Sequence, residues 1–249
     1  RKFFRFKGIT DNFLAFVILF CAQIIILIIL LGSYHALFLP NILLINCTLF
    51  FLAMLIWRSS KQISLKSDFH SLMVRLYEIP INDKIMVFCF SLILGFALVK
   101  ISVNLVNPPF GWDDLNYHFP FAVEWLKSGS LSTPIIVNDY PAPAYYPLNG
   151  SFLFYWLMLP FRNVFLADLG QVPFFAIVFL CMYSISRKIG LSSRYAFYAA
   201  LLLMAMPNYF KQLSIAYVDV IVAGFFLCGL NFLYNFSKDF SIKNVVLAA

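Results

Sequence analysis

The sequence predicts an all-α, polytopic membrane helix bundle with juxtamembrane helices in an outer loop after the third span. Hydrophobic residues make up 62% of the 249 residues and charged residues 12%, whereas a soluble domain has about 45–50% apolar and about 25% charged residues. The apolar residues form uncharged runs of roughly 20 residues, the length that a bilayer-spanning helix requires. A soluble fold cannot bury that much apolar surface, so we expect lipid to be the solvent for most of the chain.

Six apolar runs are predicted to cross the membrane: residues 13–32, 36–57, 85–106, 164–186, 196–206 and 213–234. The fifth reaches spanning length only if it is extended back towards Ser192. A further run, residues 151–161, is too short to cross and is predicted to lie in the outer interface, with Tyr155 and Trp156 at headgroup depth. We divide the chain into 1–84, two N-terminal transmembrane helices plus a cytoplasmic loop, and 85–249, a transmembrane module with the outer loop 107–163.

The N-terminal run could also belong to a secretory signal peptide, because basic residues precede it. It is longer than a typical h-region, and no small-residue cleavage pattern follows, so we predict a retained first span. The chain begins with Arg1 rather than Met, and an apolar run starts again at Val245. We therefore expect it to be the N-terminal part of a longer protein, truncated at the C-terminus.

Lysine and arginine fall on alternate sides of the predicted spans. With the N-terminus in the cytoplasm, 14 of the 18 basic residues lie in cytoplasmic segments, as expected when basic residues near span ends are retained on that side. The outer loop then faces the outside or a lumen. The formal charge of +7 is interpreted as a topology signal, not as a nucleic-acid-binding surface. The expected localisation is a bacterial inner membrane or plasma membrane.

The outer loop opens with two adjacent carboxylates, Asp113 and Asp114. Apolar residues spaced by four then predict a short amphipathic helix that begins near Phe119, carries Pro120 in its first turn and is closed by Gly129. An acid pair at the lipid–water boundary suits a substrate with its tail in the membrane and its head outside. Adjacent acids also repel, so the pKa of one is expected to rise and that acid can act as a base. The alternative is a helix cap on a solvated loop.

A third acid, Asp219, falls within the sixth run. An ionisable group inside a span is costly and usually functional. Because this run is predicted to start outside near Leu213, Asp219 is expected about 9 Å from its outer end, on the same side as the loop pair. The alternative is a buried aspartate that is hydrogen-bonded to a neighbouring helix.

Three basic residues, Lys100, Arg162 and Lys211, are candidates to bind a lipid-linked phosphate at the outer face. Each is predicted to lie near the outer end of a span or of the interfacial helix. The alternative is that these long side chains simply extend to water.

Aromatic residues and one histidine are candidates to line the substrate site. Three prolines stiffen residues 140–150, and Tyr145 and Tyr146 there can stack on sugar rings; the alternative is an ordinary proline-rich connector. His118 could share a divalent metal with Asp114, but no other histidine or cysteine is near in sequence, so no metal ligand set is predicted. The five cysteines lie in apolar runs without close pairing and are interpreted as small buried residues.

In the order and spacing of these features, the sequence resembles the GT-C superfamily of integral membrane glycosyltransferases. It is most similar to the branch with protein O-mannosyltransferases and lipid A aminoarabinose transferases. The matching features are Trp112-Asp113-Asp114, Lys127-Ser128-Gly129, Tyr146-Pro147, Arg187-Lys188-Ile189-Gly190, and Tyr217 to Asp219, within residues 85–243. The sequence departs where Tyr145-Tyr146-Pro147 replaces the Pro-Pro or Glu-Lys-Pro of many relatives, and in the two spans that precede the usual first one.

The resemblance implies transfer of a hexosyl or pentosyl group from a polyprenyl-phosphate donor to an acceptor on the non-cytoplasmic face. It assigns catalysis to Asp113 or Asp114, support to Asp219, and substrate lining to Tyr217. A divalent metal is left open as a cofactor. The expected partners are the lipid-linked donor and membrane lipid, without nucleic acid. The alternatives are a multi-pass transporter or flippase and a polysaccharide ligase or polymerase; the sugar, acceptor and oligomeric state stay open.

Overall fold

The computed structural model describes residues 6, 8–59, 82–133 and 141–249. Within these ranges the chain folds into helices joined by turns and contains no β-strand. Five of the helical elements are long and apolar enough to cross a membrane. The predicted all-α membrane helix bundle is therefore confirmed. Most of the predicted cytoplasmic loop after the second span and part of the outer loop lie outside the described residues.

The first three spans follow the predicted runs closely. They are α1 Ile9–Ser33, α2 Leu39–Ser59 and α3 Lys84–Val106. Helix α3 begins after Asp83, whose carboxylate accepts a hydrogen bond from the Met86 N–H at 3.2 Å and so caps the helix. Many large apolar side chains of α2 and α3 are exposed, Phe51 and Phe88 among them. Such extensive apolar surface suits contact with lipid.

Two short helices lie in the loop after α3. A π-helical turn at Asp114–His118 leads directly into α4, Phe119–Ser128, and α5 spans Asn149–Met158. Helix α4 carries Pro120 in its first turn and ends at Gly129, whose φ of 67° is the left-handed conformation that glycine adopts without strain. Both ends of α4 are as predicted.

The second half of the chain holds two more spans and three shorter helices. After a 3₁₀ turn at Val164–Leu169, the helices are α6 Val172–Lys188, α7 Ser193–Met204, α8 Pro207–Lys211, α9 Asp219–Asp239 and α10 Ile242–Ala248. A second 3₁₀ turn, Gln212–Ser214, follows α8. The first 3₁₀ turn together with α6 reaches spanning length, and so does α9.

The fifth predicted span, residues 196–206, is not one long helix. Helix α7 has 12 residues, and the chain breaks before α8 because the proline that opens α8 lacks the N–H of a continuing helix. The two pieces nevertheless run along α3. Arg194 near the start of α7 pairs with Asp83, and after α8 the Leu213 carbonyl accepts a hydrogen bond from Asn104. The two contacts on the α3 side, at Asp83 and Asn104, lie about 30 Å apart along α3 at about 1.5 Å per residue.

Helix α5 packs into the protein core between α4 and α1. Phe154 and Tyr155 are fully buried, and the Tyr155 hydroxyl donates a hydrogen bond to the Leu37 carbonyl at 2.9 Å. Trp156 is half-buried and contacts Phe20 of α1 edge-on. A short helix in the outer loop is thus found as predicted, but the Tyr155 side chain packs against protein and does not contact lipid headgroups.

A polar network closes one end of the bundle. Asp11 of α1 accepts hydrogen bonds from Lys188 Nζ at 2.8 Å and from Asn231 Nδ2 at 2.9 Å. Its second oxygen accepts one from Asn235 Nδ2 at 3.1 Å. Ser184 donates to the Asn231 amide oxygen. Because α1, α6 and α9 all contribute, the network aligns these helices; we call this the basic end, and the opposite end, with α4 and α5, the loop end.

Two of the cysteines meet across the core. Cys181 of α6 and Cys228 of α9 are buried, with their Sγ atoms 3.3 Å apart. Both are small buried residues as interpreted, whereas Cys47 is exposed and Cys89 is half-buried. Sequence spacing does not reveal the contact, because the two residues lie 47 positions apart on different helices.

Replacing Asp11 by alanine is expected to destabilise the fold. The change leaves the largely buried Lys188 ammonium group without its carboxylate, and breaking such a pair costs about 3 kcal/mol. The thermal unfolding midpoint of the protein in detergent should fall clearly. Asp239→Asn is the control, since Asp239 is exposed and asparagine keeps an oxygen for the Asn244 amide. An unchanged midpoint in Asp11→Ala would contradict the role given to this network.

Candidate functional site

Asp114 is fully buried at the loop end. It opens the π-helical turn, and its Oδ2 accepts a hydrogen bond from the Gly111 N–H at 3.1 Å. Gly111 makes this approach possible, because a Cβ at that position would lie 2.3 Å from the same oxygen. The glycine is therefore part of the site. A π-helical turn is itself a rare feature that is frequent at functional sites.

Burial raises the pKa of Asp114 above its ordinary value, and the neighbouring Asp113 carboxylate adds to the rise. The backbone amides of Ala216 and Gly111 act in the opposite direction. Asp114 Oδ1 has no hydrogen-bond partner among the described residues. The raised pKa falls on the buried acid, and its main cause is burial rather than the repulsion between the two acids on which the sequence prediction rested.

Tyr117, which was not among the predicted site residues, connects two of the candidate acids. The carboxylate of the half-buried Asp113 and the charge of Asp219 both act on its hydroxyl. Burial, followed by the Asp113 carboxylate, raises the pKa of Tyr117, so its hydroxyl stays protonated near neutral pH. The Tyr146 ring packs edge-on against Tyr117, with 5.3 Å between the centroids. Asp113 and Asp219, far apart in sequence, therefore lie near one tyrosine.

Asp219 is the first residue of the sixth predicted span, not a residue within it. Helix α9 begins at this residue, after a 3₁₀ turn and a short non-helical segment. The prediction that Asp219 lies about 9 Å within the sixth span is therefore wrong. Its side chain is exposed and accepts a hydrogen bond from Gln212 Nε2 at 2.7 Å. A carboxylate in the first turn also interacts favourably with the helix dipole.

Two buried amide side chains explain the late start of α9. Gln171, fully buried just before α6, donates to the Ile215 carbonyl at 2.8 Å and accepts from the Val220 N–H at 3.0 Å. Asn104 of α3 donates to the Leu213 carbonyl. These side chains form hydrogen bonds with backbone groups that would otherwise have to pair within a helix or with water. The sequence signal for Gln171 is an amide within an apolar run.

A fourth acid, Asp168, also lies at this site and was not predicted. It sits in the 3₁₀ turn before α6, is 3% exposed, and neither carboxylate oxygen has a hydrogen-bond partner among the described residues. The charge of Asp114 acts on its carboxyl group. The signal that could have found it is an acid near the start of the fourth apolar run, by the same argument that singled out Asp219.

An apolar cavity of about 830 Å³ opens beside these residues. Its walls come mainly from α1, α9 and α10, with Ile25 and Phe225 among the lining side chains. Tyr117, His118 and Tyr146 also line it. Mostly apolar walls with a few polar groups are typical of ligand-binding cavities.

His118 lies between this cavity and α5. Its Nδ1 is 2.8 Å from Ser151 Oγ, and its Nε2 has no hydrogen-bond partner within the part of the chain that the structure describes. Burial lowers the pKa of His118 to about 4, so the ring is neutral near neutral pH. The histidine thus joins the π turn to α5 and also forms part of the cavity wall.

Two of the three candidate cations come together. Lys100 of α3 and Lys211 of α8 line a second cavity of about 390 Å³, and Lys100 Nζ lies 5.9 Å from the centre of the Phe210 ring. Arg162 is exposed and donates to the Leu126 carbonyl of α4 at 3.3 Å. The two lysines are therefore grouped, and the arginine lies outside their cavity.

The remaining predicted aromatic residues lie further from the larger cavity. Tyr145 ends a 3₁₀ turn, Ala142–Tyr145, and is exposed. Tyr217 is half-buried just before α9. Neither residue lines the cavity, whereas Tyr146 does. Among residues 6, 8–59, 82–133 and 141–249, no three His, Cys, Asp or Glu side chains are grouped so as to hold a metal ion.

Gly111→Ala is expected to displace the Asp114 carboxyl group. The added Cβ would lie 2.3 Å from Asp114 Oδ2, and such overpacking costs about 1–3 kcal/mol. The thermal unfolding midpoint in detergent should therefore fall. Gly95→Ala is the matched control, because its Cβ would meet no atom within 4 Å and alanine favours a helix interior. A midpoint for Gly111→Ala at or above that of Gly95→Ala would contradict the close contact.

The buried His118 predicts a loss of stability in acid. Its pKa is about 4 in the folded state against an ordinary value of 6.5, so the unfolded state binds more protons between these values. The contribution of His118 to the free energy of unfolding is complete above pH 6.5 and falls as the pH drops through that interval. At about 1.4 kcal/mol per pH unit, the total loss is roughly 3 kcal/mol. Asp114 has the opposite effect on the pH dependence of stability. Its pKa is higher in the folded state, so over that interval the folded state binds more protons than the unfolded state.

The thermal midpoint of His118→Asn should depend less steeply on pH between 4 and 6.5 than that of the wild-type protein. Asparagine still offers Ser151 a hydrogen-bond partner. His35→Asn is the control, since His35 is exposed and asparagine tolerates its φ of 52°. Equal slopes for His118→Asn and the wild-type protein would argue against a buried neutral histidine.

No protein-family model matches the chain, and no curated protein or solved structure matches it. The resemblance drawn from the sequence motifs therefore stays a prediction. The function of the site rests on the chemistry of its own residues.

Proposed function

We propose that this protein is a membrane glycosyltransferase that moves a sugar from a polyprenyl-phosphate donor to an acceptor at the loop end. The observation that carries the proposal is that Tyr117, on which the charges of Asp113 and Asp219 act, lines an apolar cavity between spanning helices. A donor with a lipid tail and a sugar-phosphate head needs such a junction of apolar wall and acidic groups. The sequence motifs support the same reaction.

The larger cavity suits the lipid tail of the donor. Its volume of about 830 Å³ falls within the roughly 300–1,000 Å³ of small-molecule sites. Ile18, Phe225 and Leu230 contribute apolar wall, and they belong to spanning helices, so the wall lies at the depth of lipid tails. Each buried CH₂ group of a prenyl chain would stabilise the complex by about 0.8 kcal/mol.

The two lysines suit the donor phosphate. Lys100 and Lys211 share a cavity beside Phe210, and Lys211 directly precedes Gln212, which hydrogen-bonds Asp219. The lysine cavity and the acid cluster are thus joined through one short segment. Preorganised cations stabilise the negative charge that grows on a leaving phosphate.

Asp113 is the acid best suited to act as the base. It is half-buried, whereas Asp114 is fully buried and would have to move to meet an acceptor. In the proposed step, the Asp113 carboxylate takes the proton of the acceptor hydroxyl, and the hydroxyl oxygen attacks the anomeric carbon. The bond between that carbon and the phosphate oxygen breaks, and the phosphate leaves with the electron pair. This single displacement inverts the anomeric configuration.

We infer that the loop end faces the non-cytoplasmic side. Basic residues collect at helix ends on the opposite side: Arg58, Lys84, Arg187, Lys188, Arg194 and Lys238. Lysine and arginine next to spans are retained in the cytoplasm. This distribution supports a multi-pass protein with a cytoplasmic N-terminus.

A transporter is the second candidate function, because the break between α7 and α8 resembles the interrupted helices that transporters use at their substrate sites. Cysteine accessibility at position 219 discriminates between the two. Labelling of Asp219→Cys by an impermeant thiol reagent from one side of the membrane favours the transferase. Labelling from both sides favours transport.

Asp113→Asn is expected to lower transfer by about 100-fold or more, the range for loss of a general base. Membranes with the protein are incubated with a panel of labelled polyprenyl-phosphate sugars, and label that leaves the donor for an acceptor is measured at matched expression. Asp114→Asn should also lower transfer, because it alters the contact with Gly111. Asp239→Asn, at the basic end, is the control and should transfer at the wild-type rate. Full activity in both Asp113→Asn and Asp114→Asn would refute the proposal.

A further inference from the structure

Two glutamine side chains connect the first turn of α9 to the Asp219 carboxylate. Gln171 is fully buried, and its Oε1 accepts a hydrogen bond from the Val220 N–H at 3.0 Å. Its Nε2 donates to the Ile215 carbonyl at 2.8 Å, and to the carbonyl and Oε1 of Gln212 at 3.1 and 3.4 Å. Gln212 Nε2 in turn donates to Asp219 Oδ2 at 2.7 Å. The two amides therefore lie in series between a backbone group and a carboxylate.

The direction of each hydrogen bond in this series is fixed by its two ends. The Val220 N–H can only donate, so the oxygen of the Gln171 amide faces it and the nitrogen faces Gln212. The nitrogen of the second amide then faces Asp219, whose carboxylate oxygens can only accept. Turning over either amide would place donor against donor and acceptor against acceptor. One orientation of both amides is therefore stable.

The series runs from the protein interior to the surface. Gln171 has no exposed surface and Val220 is 1% exposed, so a lost partner at this end would leave a buried polar group unpaired, which is costly. Gln212 is half-buried, and Asp219 is exposed. The buried end anchors the series, and the carboxylate is its outer end.

The hydrogen bond from Gln212 restricts the Asp219 side chain. An exposed aspartate can adopt several rotamers, whereas a donor that is itself held in place favours the one rotamer that reaches it. Because Oδ2 is engaged by Gln212, Oδ1 is the oxygen left to contact a ligand. The segment that holds the carboxylate also carries Lys211, which lines the cavity with Lys100.

We propose that Gln171 and Gln212 form an amide relay that fixes the Asp219 carboxylate, and that both glutamines are positioning residues. The group that the fixed carboxylate recognises is a hydroxyl of the substrate, since a carboxylate oxygen accepts a hydrogen bond from an O–H donor. This contact with the substrate rests on the proposed function, whereas the relay itself does not.

Nuclear magnetic resonance tests the relay without a substrate. The sequence contains four glutamines, Gln23, Gln62, Gln171 and Gln212, so ¹⁵N labelling of glutamine side chains gives four amide signals from the protein in detergent. The variants Gln23→Met, Gln62→Met and Gln212→Met each remove one signal. The signal that all three variants retain belongs to Gln171, so no variant of this buried residue is needed.

Asp219→Ala is expected to shift the Gln212 signal, because the amide loses its charged acceptor. Gln212→Met is expected to shift the Gln171 signal in the same way. The Gln23 signal is the control and should stay in place, since Gln23 Nε2 donates to Asn46 Oδ1 at 2.7 Å. An unmoved Gln212 signal in Asp219→Ala, or an unmoved Gln171 signal in Gln212→Met, would overturn the relay.

Transfer activity tests the positioning role. Gln212→Met is expected to lower transfer by about 10-fold, the effect of one hydrogen bond to a charged group. In the Asp219→Ala background the same change should lower it by less than about 2-fold, because the group that Gln212 positions is absent. Gln23→Met is the matched control and should transfer at the wild-type rate. Equal losses in the two backgrounds would contradict the positioning role, since a general structural defect acts in both.

The two measurements separate this inference from the proposed function. A protein that shows the expected shifts but transfers no sugar from any donor would refute the glycosyltransferase and support the relay. An active protein without the shifts would support the glycosyltransferase and refute the relay.

Discussion

The burial of Asp114 against the backbone of Gly111 is the interaction on which the loop end depends. A carboxyl group without exposed surface is stable only where donors reach it, and any side chain at position 111 would keep it away. This contact fixes the start of the π turn. The turn then directs Tyr117 to Asp113 and the cavity, and His118 to α5. The contact thereby holds the loop after α3 in one conformation at the place where we propose that sugar transfer occurs.

The two ends of the bundle treat buried polar groups differently. At the basic end, both oxygens of Asp11 have donors from neighbouring helices, an arrangement that favours stability. At the loop end, Asp114 Oδ1, the Asp168 carboxyl group and His118 Nε2 lack partners among the described residues. Unpaired buried groups and perturbed acids that collect in one place are typical of functional sites. The contrast favours the loop end as the place where a ligand or a proton completes the structure.

Composition and local pattern predicted most of the spans, because a spanning helix must be long, apolar and continuous. The adjacent acids Asp113 and Asp114 could be found because they stand together after a span. The start of α9 at Asp219 could not be predicted, because it depends on Gln171. The Gln171 side chain accepts a hydrogen bond from the Val220 N–H, 49 residues further along the chain. Asp168, near the start of the fourth apolar run, could have been found by the argument that singled out Asp219. Long-range contacts of single polar residues leave little trace in a local apolar pattern.

Cross-linking tests most directly whether the outer loop and the start of α9 meet beside Tyr117. The double variant Tyr117→Cys and Asp219→Cys, with the exposed Cys47 replaced by alanine, is treated in membranes with a short bifunctional thiol reagent and analysed by mass spectrometry. The control pairs Tyr117→Cys with Asp239→Cys, about 30 Å further along α9 at about 1.5 Å per residue. A cross-link between positions 117 and 219 that is absent from the control is the predicted result. Single labelling of both cysteines without a cross-link would contradict it.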